Sequence, residues 1–153
     1  MAWQKINLTI PQNLGPTERL ELADLIIEHI YDRTNQGVDK NGRSFPKYSK
    51  EYIKSLDFKN AGKSPSKVNL QLSGDMLAAL KLLNHKSGNL MIGFENGTDE
   101  NAKAEGNILG TYGGSGTGKK RDFLGIQPGK LKELIKYVSG KSDTKPSGDN
   151  EEN

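Results

Sequence analysis

The stretch GGSGTGKK, from Gly113 to Lys120, contains most of a nucleotide-binding loop. Gly113 and Gly118 are separated by four residues and Lys119 follows, as in the pattern G-x-x-x-x-G-K-[ST]. In that pattern the glycines turn backbone N–H groups onto phosphate oxygens, and the final hydroxyl holds magnesium. Lys120 occupies the hydroxyl position in this sequence, so the magnesium ligand is missing.

A phosphate-binding loop also opens a helix, whose N-terminal dipole faces the phosphates. Here Pro128 and Gly129 interrupt any helix that begins at Lys119. We therefore expect no nucleotide and no other cofactor. We interpret the segment as a flexible glycine-rich loop with three cations at its end, Lys119, Lys120 and Arg121.

The segment DKNG, from Asp39 to Gly42, matches the middle of a calcium-binding loop. The full pattern D-x-[DN]-x-[DN]-G-x5-E would place Gly37 at the first acidic ligand and Tyr48 at the bidentate glutamate. Neither residue can ligate calcium through a carboxylate, so we interpret this segment as a turn and expect no metal.

Residue types that support catalysis are scarce. The chain has two histidines and no cysteine, which excludes disulfides and thiolate metal sites. His29 has no second histidine four residues away, so we interpret it as an ordinary helix residue. No pair of acids lies in an evident apolar cleft, and we therefore expect no catalytic residues and no enzyme activity.

The composition of these 153 residues predicts one domain with a thin core, since 33% are apolar and 27% are charged. The net charge of +3 does not by itself indicate a nucleic-acid-binding protein. No apolar run approaches the roughly 20 residues that a membrane-spanning helix requires. The first residues show no apolar signal core, so we expect neither secretion nor a membrane contact.

Periodicity predicts the elements that would position these residues. Ile6, Leu8 and Ile10 alternate with polar residues, as in a strand. A long amphipathic helix is predicted from Pro16 or Thr17 to Gly37. Val68, Leu70 and Leu72 alternate with polar residues. A short helix capped by Ser73 or Asp75 follows, in which Met76, Leu77, Leu80 and Leu83 face inward. The remaining predictions are a strand over residues 90–94, a short polar helix or loop over 98–107 and a closing helix over 130–140.

The predicted fold class is therefore α+β, with a small, mainly antiparallel sheet packed against the long N-terminal helix and the C-terminal helix. Residues 1–139 form the domain, and the polar tail of residues 140–153 has no apolar side chain and is expected to be disordered in isolation. The predicted core comprises Ile26, Ile30, Leu77, Leu80, Ile92 and Leu134.

The order of several short motifs resembles that of the phage virion morphogenesis proteins, which are small tail-completion or neck proteins of tailed bacteriophages. The resemblance covers roughly residues 16–139. The motifs are a D-x-x-G turn with a following aromatic, a Ser-x-x-Tyr segment, a small-polar–Gly start of a helix, a strand end and an R-x-F-L-G element. In this sequence they are Asp39, Gly42 and Phe45; Ser49 with Tyr52; Ser73, Gly74, Asp75 and Met76; Ile92, Gly93 and Phe94; and Arg121, Phe123, Leu124 and Gly125.

One motif of the family is absent. Many of these proteins have an aromatic–Ala-x-x-His-x-x-Gly segment before R-x-F-L-G, whereas this chain has AKAEGNILGTYGG there, without the histidine. Local contacts made by that histidine therefore do not carry over.

The resemblance implies a structural protein of the virion neck or head-proximal tail end, assembled in the host cytoplasm. It would act as a tail-completion protein, tail terminator or head–tail connector. Its partners would be further copies in a ring, other neck, connector or tail-tube proteins, and DNA in the channel, contacted without base reading.

Individual residues acquire expected roles from this placement. Arg121, Phe123 and Leu124 are either core residues or a subunit contact of the aromatic-and-Arg type. Lys119 and Lys120 face the channel or form a solvated rim. Three sets have structural roles: the turn with Asp39, Gly42 and Phe45; the aromatic anchor of Phe45, Tyr48 and Tyr52; and the helix start of Ser73, Gly74 and Asp75.

One alternative is a nucleic-acid-binding protein that uses the lysine-rich middle and the Gly113–Lys120 loop without sequence specificity. The sequence contains no helix-turn-helix, zinc or aromatic-stacking signature to support base readout.

Overall fold

A computed structural model describes residues 2–45, 76–110 and 120–140 of the chain. Three strands and three α-helices occur in these ranges, with a short 3-10 helix before the second strand. In chain order they are β1 (Lys5–Thr9), α1 (Pro16–Asn35), the 3-10 helix (Leu77–Ala79), β2 (Lys81–Lys86), β3 (Asn89–Gly93), α2 (Asp99–Leu109) and α3 (Pro128–Gly140).

The long helix α1 begins and ends close to the predicted residues. Pro16 occupies its first position, where the missing N–H costs nothing, and Glu18 accepts a hydrogen bond from the backbone N–H of Gly15 at 2.8 Å. At the other end Gly37 adopts a φ of 82°, a left-handed conformation in which glycine carries no steric penalty. The predicted helix is therefore confirmed.

The sheet is antiparallel with strand order β1-β3-β2, so the strand predicted over residues 90–94 lies at its centre. Ile6 pairs with Ile92 and Leu8 pairs with Leu90, which places these apolar side chains on one face. Helix α1 packs against β2, β3 and α3. The helix covers the inner face of the sheet and leaves the outer face exposed, as is common for antiparallel sheets.

All six predicted core residues are buried, which confirms the predicted packing of helices on the sheet. The exposed fraction is 5% or less for every one of them. They are Ile26, Ile30, Leu77, Leu80, Ile92 and Leu134.

The prediction for the segment after Asp75 is wrong in its second half. Met76 and Leu77 enter a single 3-10 turn, but residues 81–86 form β2 instead of continuing a helix. Pairing with β3 explains the difference, because the backbone groups of Lys81 to Lys86 are satisfied across the sheet. Tertiary contacts here override the helical spacing of Leu77, Leu80 and Leu83.

The other two helices agree with the sequence. The polar segment after Thr98 is a helix, α2, and the Thr98 hydroxyl accepts a hydrogen bond from the backbone N–H of Asn101 at 3.1 Å. The closing helix α3 buries Leu134 and Val138. The tail beyond Gly140 lies outside the described residues.

Candidate functional site

The D-x-x-G segment forms a tight hairpin, called here the Asp39 turn (residues 38–44). Val38 and Ser44 make an isolated antiparallel bridge, and the Asp39 carboxylate accepts hydrogen bonds from the backbone N–H groups of Asn41 and Arg43 at 2.8 and 2.9 Å. Gly42 has a φ of 85°. This local chemistry is typical of an aspartate that starts a turn, and it confirms the predicted turn.

The R-x-F-L-G segment lies directly against this turn. We call residues 120–127 the anchored segment because hydrogen bonds connect it to the Asp39 turn, to α2 and, through Arg33, to α1. The N–H of Lys40 donates to the carbonyl oxygen of Asp122 at 3.1 Å, and the N–H of Arg121 donates to that of Asn107 at 2.7 Å. Gln127 donates through its side-chain amide to the carbonyl oxygen of Asn41 at 3.2 Å.

Arg33, near the end of α1, joins the turn to the anchored segment. Its guanidinium donates to the carbonyl oxygens of Val38 at 3.3 Å, of Gly125 at 2.8 Å and of Phe123. Burial lowers the pKa of Arg33 from its ordinary value to about 10, and the nearby charges of Asp39 and Asp122 oppose this shift. The side chain therefore remains a cation at neutral pH and donates to all three carbonyls.

Phe123 and Leu124 lie in the core of the chain itself, with exposed fractions of 0% and 5%. The ring of Phe123 meets that of Phe94 edge to face, with 6.1 Å between centroids. Between the two roles expected for these residues, the structure assigns both to the core. Arg121 is half-buried and is therefore more exposed than either Phe123 or Leu124.

Gly125 allows the turn and the anchored segment to approach closely. A Cβ at this position would lie 2.8 Å from Cδ of Lys40, well inside normal contact. The Lys40 side chain crosses this glycine, and its Nζ lies 3.0 Å from the Asp122 carboxylate. A larger residue at the glycine of R-x-F-L-G would therefore displace the Lys40 side chain.

We call the place where the Asp39 turn, the anchored segment and Arg33 meet the joint. A third motif reaches this joint through Asn107. Its side-chain amide lies 3.7 Å from the sulfur of Met76, the last residue of the Ser73–Met76 motif, and donates to the carbonyl oxygen of Lys103 at 2.9 Å. The backbone of Asn107 holds Arg121, as described above. The strand-end motif arrives through Phe94, so four motifs that are far apart in sequence converge on one joint.

Of the remaining predicted site residues, two lie within the described ranges and six lie outside them. Phe45 is buried, with its N–H bonded to the carbonyl oxygen of Gly37, and Lys120 is exposed at the start of the anchored segment. The others lie outside the described residues: Tyr48, Tyr52, Ser73, Gly74, Asp75 and Lys119.

The exposed rim of this joint is polar and largely cationic. Asn41, Arg43, Lys120 and Gln127 are exposed, and the Lys40 side chain is 39% exposed. Within residues 2–45, 76–110 and 120–140 there is no group of three His, Cys, Asp or Glu side chains that could hold a metal ion. The arrangement is suited to holding two chain segments in one geometry and presenting a charged rim.

No family model, curated protein or solved structure matches this chain. Among the helices of the described ranges, none is both long and apolar enough to cross a membrane.

Sequence reasoning missed three residues of this joint: Arg33, Asn107 and Gln127. Arg33 lies at helical spacing from the buried residues Ile26 and Ile30. A cation on the apolar face of a helix needs hydrogen-bond partners, and this pattern is visible in the sequence. The other two carry no comparable signal, because each bonds a backbone group whose position only the fold determines.

Proposed function

We propose that this chain is a structural component of the tailed-phage virion, at the neck or head-proximal tail end, where copies form a ring around the DNA channel. The observation that supports this best is the convergence of the Asp39 turn, the anchored segment, Phe94 and Met76 on one joint. The described residues of four of the five motifs that resemble the virion morphogenesis proteins thus meet in this joint, which gives their order along the chain a structural reason.

The rim of the joint supplies a surface suited to subunit contact. Since Phe123 and Leu124 are buried, a neighbouring copy would meet Arg121, Lys120 and the exposed residues of the Asp39 turn instead. Arginine is enriched at protein interfaces, and the buried Phe123 would fix the rim from beneath. In a ring such a contact is heterologous, which means that one surface meets a different surface of the next copy.

The test is the oligomeric state of the full chain and its position in virions that contain it. Light scattering and electron microscopy of the purified chain should show closed rings, and cryo-microscopy of virions should place them at the head–tail junction. A monomer at every concentration, together with a position in the capsid shell or fibres, would overturn the proposal.

A further inference from the structure

The outer face of the sheet is a regular exposed surface with no assigned role. Residues that pair across antiparallel strands share a face, so the registers of β1, β3 and β2 define three rows of side chains there. The rows are Lys5, Gly93 and Lys81; Asn7, Met91 and Asn84; and Thr9, Asn89 and Lys86.

The chemistry of these rows is uniform. They contain three lysines and four amide or hydroxyl side chains, and none of the three described strands contains Asp or Glu. The nearest described acid along the chain is Glu95, just beyond β3, whose carboxylate lies 3.0 Å from Nζ of Lys81. Lysine, asparagine and threonine are side chains that proteins use to contact phosphate oxygens.

Helix α1 and the outer face of the sheet carry net charges of opposite sign. Helix α1, which packs on the inner face, carries five acids and two arginines. Among its acids, Asp24 and Glu28 are exposed. A polyanion is therefore repelled by α1 itself and attracted to the outer face of the sheet, whereas α3, which packs on α1, carries three lysines and one glutamate and provides a second cationic surface for comparison.

We propose that the outer face of the sheet binds the phosphate backbone of a nucleic acid without reading its bases. Lys5 and Lys81 lie two strand spacings apart, about 10 Å, and Lys81 and Lys86 are separated by about 14 Å along β2. The three ammonium groups can therefore contact three phosphates once Lys81 exchanges its exposed ion pair with Glu95 for a phosphate. This inference goes beyond the proposed function and does not require a ring.

An acidic protein surface is the competing occupant, and the composition of the face disfavours it. The fully buried centres of protein interfaces are enriched in aromatic residues and depleted of lysine. Lysine and amide side chains predominate in the three rows, and the apolar residues at this surface are confined to Met91 and its neighbours Trp3 and Leu83. Protein–nucleic-acid interfaces are more polar and much more positively charged, as this face is.

Trp3 provides a probe at this surface. It is the only tryptophan of the chain, and Nζ of Lys5 lies 4.7 Å from the centre of its ring. The side chain is 39% exposed and lines an open depression with Leu83 and Met91. Binding at the outer face should therefore change Trp3 fluorescence.

The experiment titrates the full chain with a DNA duplex and records Trp3 fluorescence and affinity as salt is varied. With three phosphate contacts, the affinity should fall roughly 40-fold between about 50 and about 200 mM salt. The double substitution K81Q/K86Q leaves one contact, so the fall should shrink to roughly 3-fold to 4-fold. The matched control K132Q/K136Q removes the same charge from exposed positions of α3 and should retain the wild-type salt dependence.

Three outcomes would overturn the inference: DNA binding that leaves Trp3 emission unchanged, equal salt dependence of K81Q/K86Q and K132Q/K136Q, or polyglutamate binding at least as tight as DNA. Duplexes of different sequence should bind equally, because no base edge is read. Light scattering tests ring formation separately. The DNA titration therefore remains a valid test of this inference if no ring is found.

Discussion

Nη1 of Arg33 lies 2.8 Å from the carbonyl oxygen of Gly125, which is 92 residues further along the chain. This hydrogen bond connects the end of the longest helix to a segment without regular secondary structure. The backbone N–H and C=O groups of such a segment are not paired in a regular helix or sheet, so they need other hydrogen-bond partners. The half-buried guanidinium supplies three donors for this purpose, and its planar shape holds the carbonyls in fixed relative positions.

We therefore expect Arg33→Lys to lower the free energy of unfolding by roughly 2–4 kcal/mol, because one ammonium group cannot reach all three carbonyls and leaves buried acceptors unpaired. Urea denaturation measures this change. Arg43→Lys is the control, since Arg43 is exposed and only its backbone contacts are seen in the Asp39 turn. Equal stability of the two variants would show that Arg33 does not hold the joint.

The sequence predicted the elements in which apolar residues recur at the spacing of one face of a helix or strand. The α1 stripe, the alternation in β1 and the closing helix α3 each place apolar residues on one side. The structure buries Ile26, Ile30, Leu134 and Val138 and half-buries Ile6 and Leu8 of β1. The Asp39 turn was predictable because its carboxylate bonds backbone groups only two and four residues away.

The joint itself was not predictable from local patterns. Leu80 and Leu83 have helical spacing, yet the unpaired edge of β3 makes a strand of residues 81–86 more favourable. The partners of Arg33 and Asn107 are backbone carbonyls, which every residue carries, so no residue type indicates them in advance. Only the spatial meeting of the Asp39 turn and the anchored segment identifies these two side chains.

Phe123→Ala should destabilise the chain by about 3–5 kcal/mol, because it removes a fully buried ring and its contact with Phe94. Phe123→Asp should be worse and prevent folding or incorporation into particles, since it leaves a carboxylate unpaired in the core. Phe123→Leu, which keeps most of the apolar volume, serves as the control. Thermal unfolding at a concentration where the chain is a monomer separates this effect from loss of a subunit contact.

A Cβ at Gly93 would lie 2.5 Å from the carbonyl oxygen of Gln4 and 2.6 Å from Cα of Lys5. We expect Gly93→Ala to cost roughly 1–3 kcal/mol, because β1 must move away from β3. Gly129→Ala is the matched control, as a Cβ there meets nothing within 4 Å. Guanidinium denaturation of both variants should show a loss for the first alone, and an unchanged midpoint for Gly93→Ala would contradict this packing.

The glycine-rich loop should not bind nucleotides. Lys119 lies outside the described residues, so this prediction depends on Lys120 at the magnesium-ligand position and on Pro128, which starts α3 well after the loop. Isothermal titration of ATP with magnesium should give no saturable heat for the wild-type chain or for Lys119→Ala. Saturable binding that disappears in Lys119→Ala would reverse the interpretation.

Deletion of residues 141–153 should leave folding intact and impair assembly into particles. The buried part of α3 ends at Val138, and the deleted segment contains no apolar side chain, so it adds nothing to the core. Fixing each residue costs about 1–2 kcal/mol of backbone entropy, and we therefore expect the tail to become ordered only when it docks on neighbouring chains as an arm.

The measurements for this variant are its unfolding midpoint and its incorporation into infectious particles. A chain that carries the same thirteen residues in scrambled order is the control, because it keeps length and charge but loses a specific docking sequence. Loss of stability on deletion would show that the tail belongs to the domain. Normal incorporation of the deletion, with a stable fold, would reject the arm and leave the ring contact to the rim around Arg121.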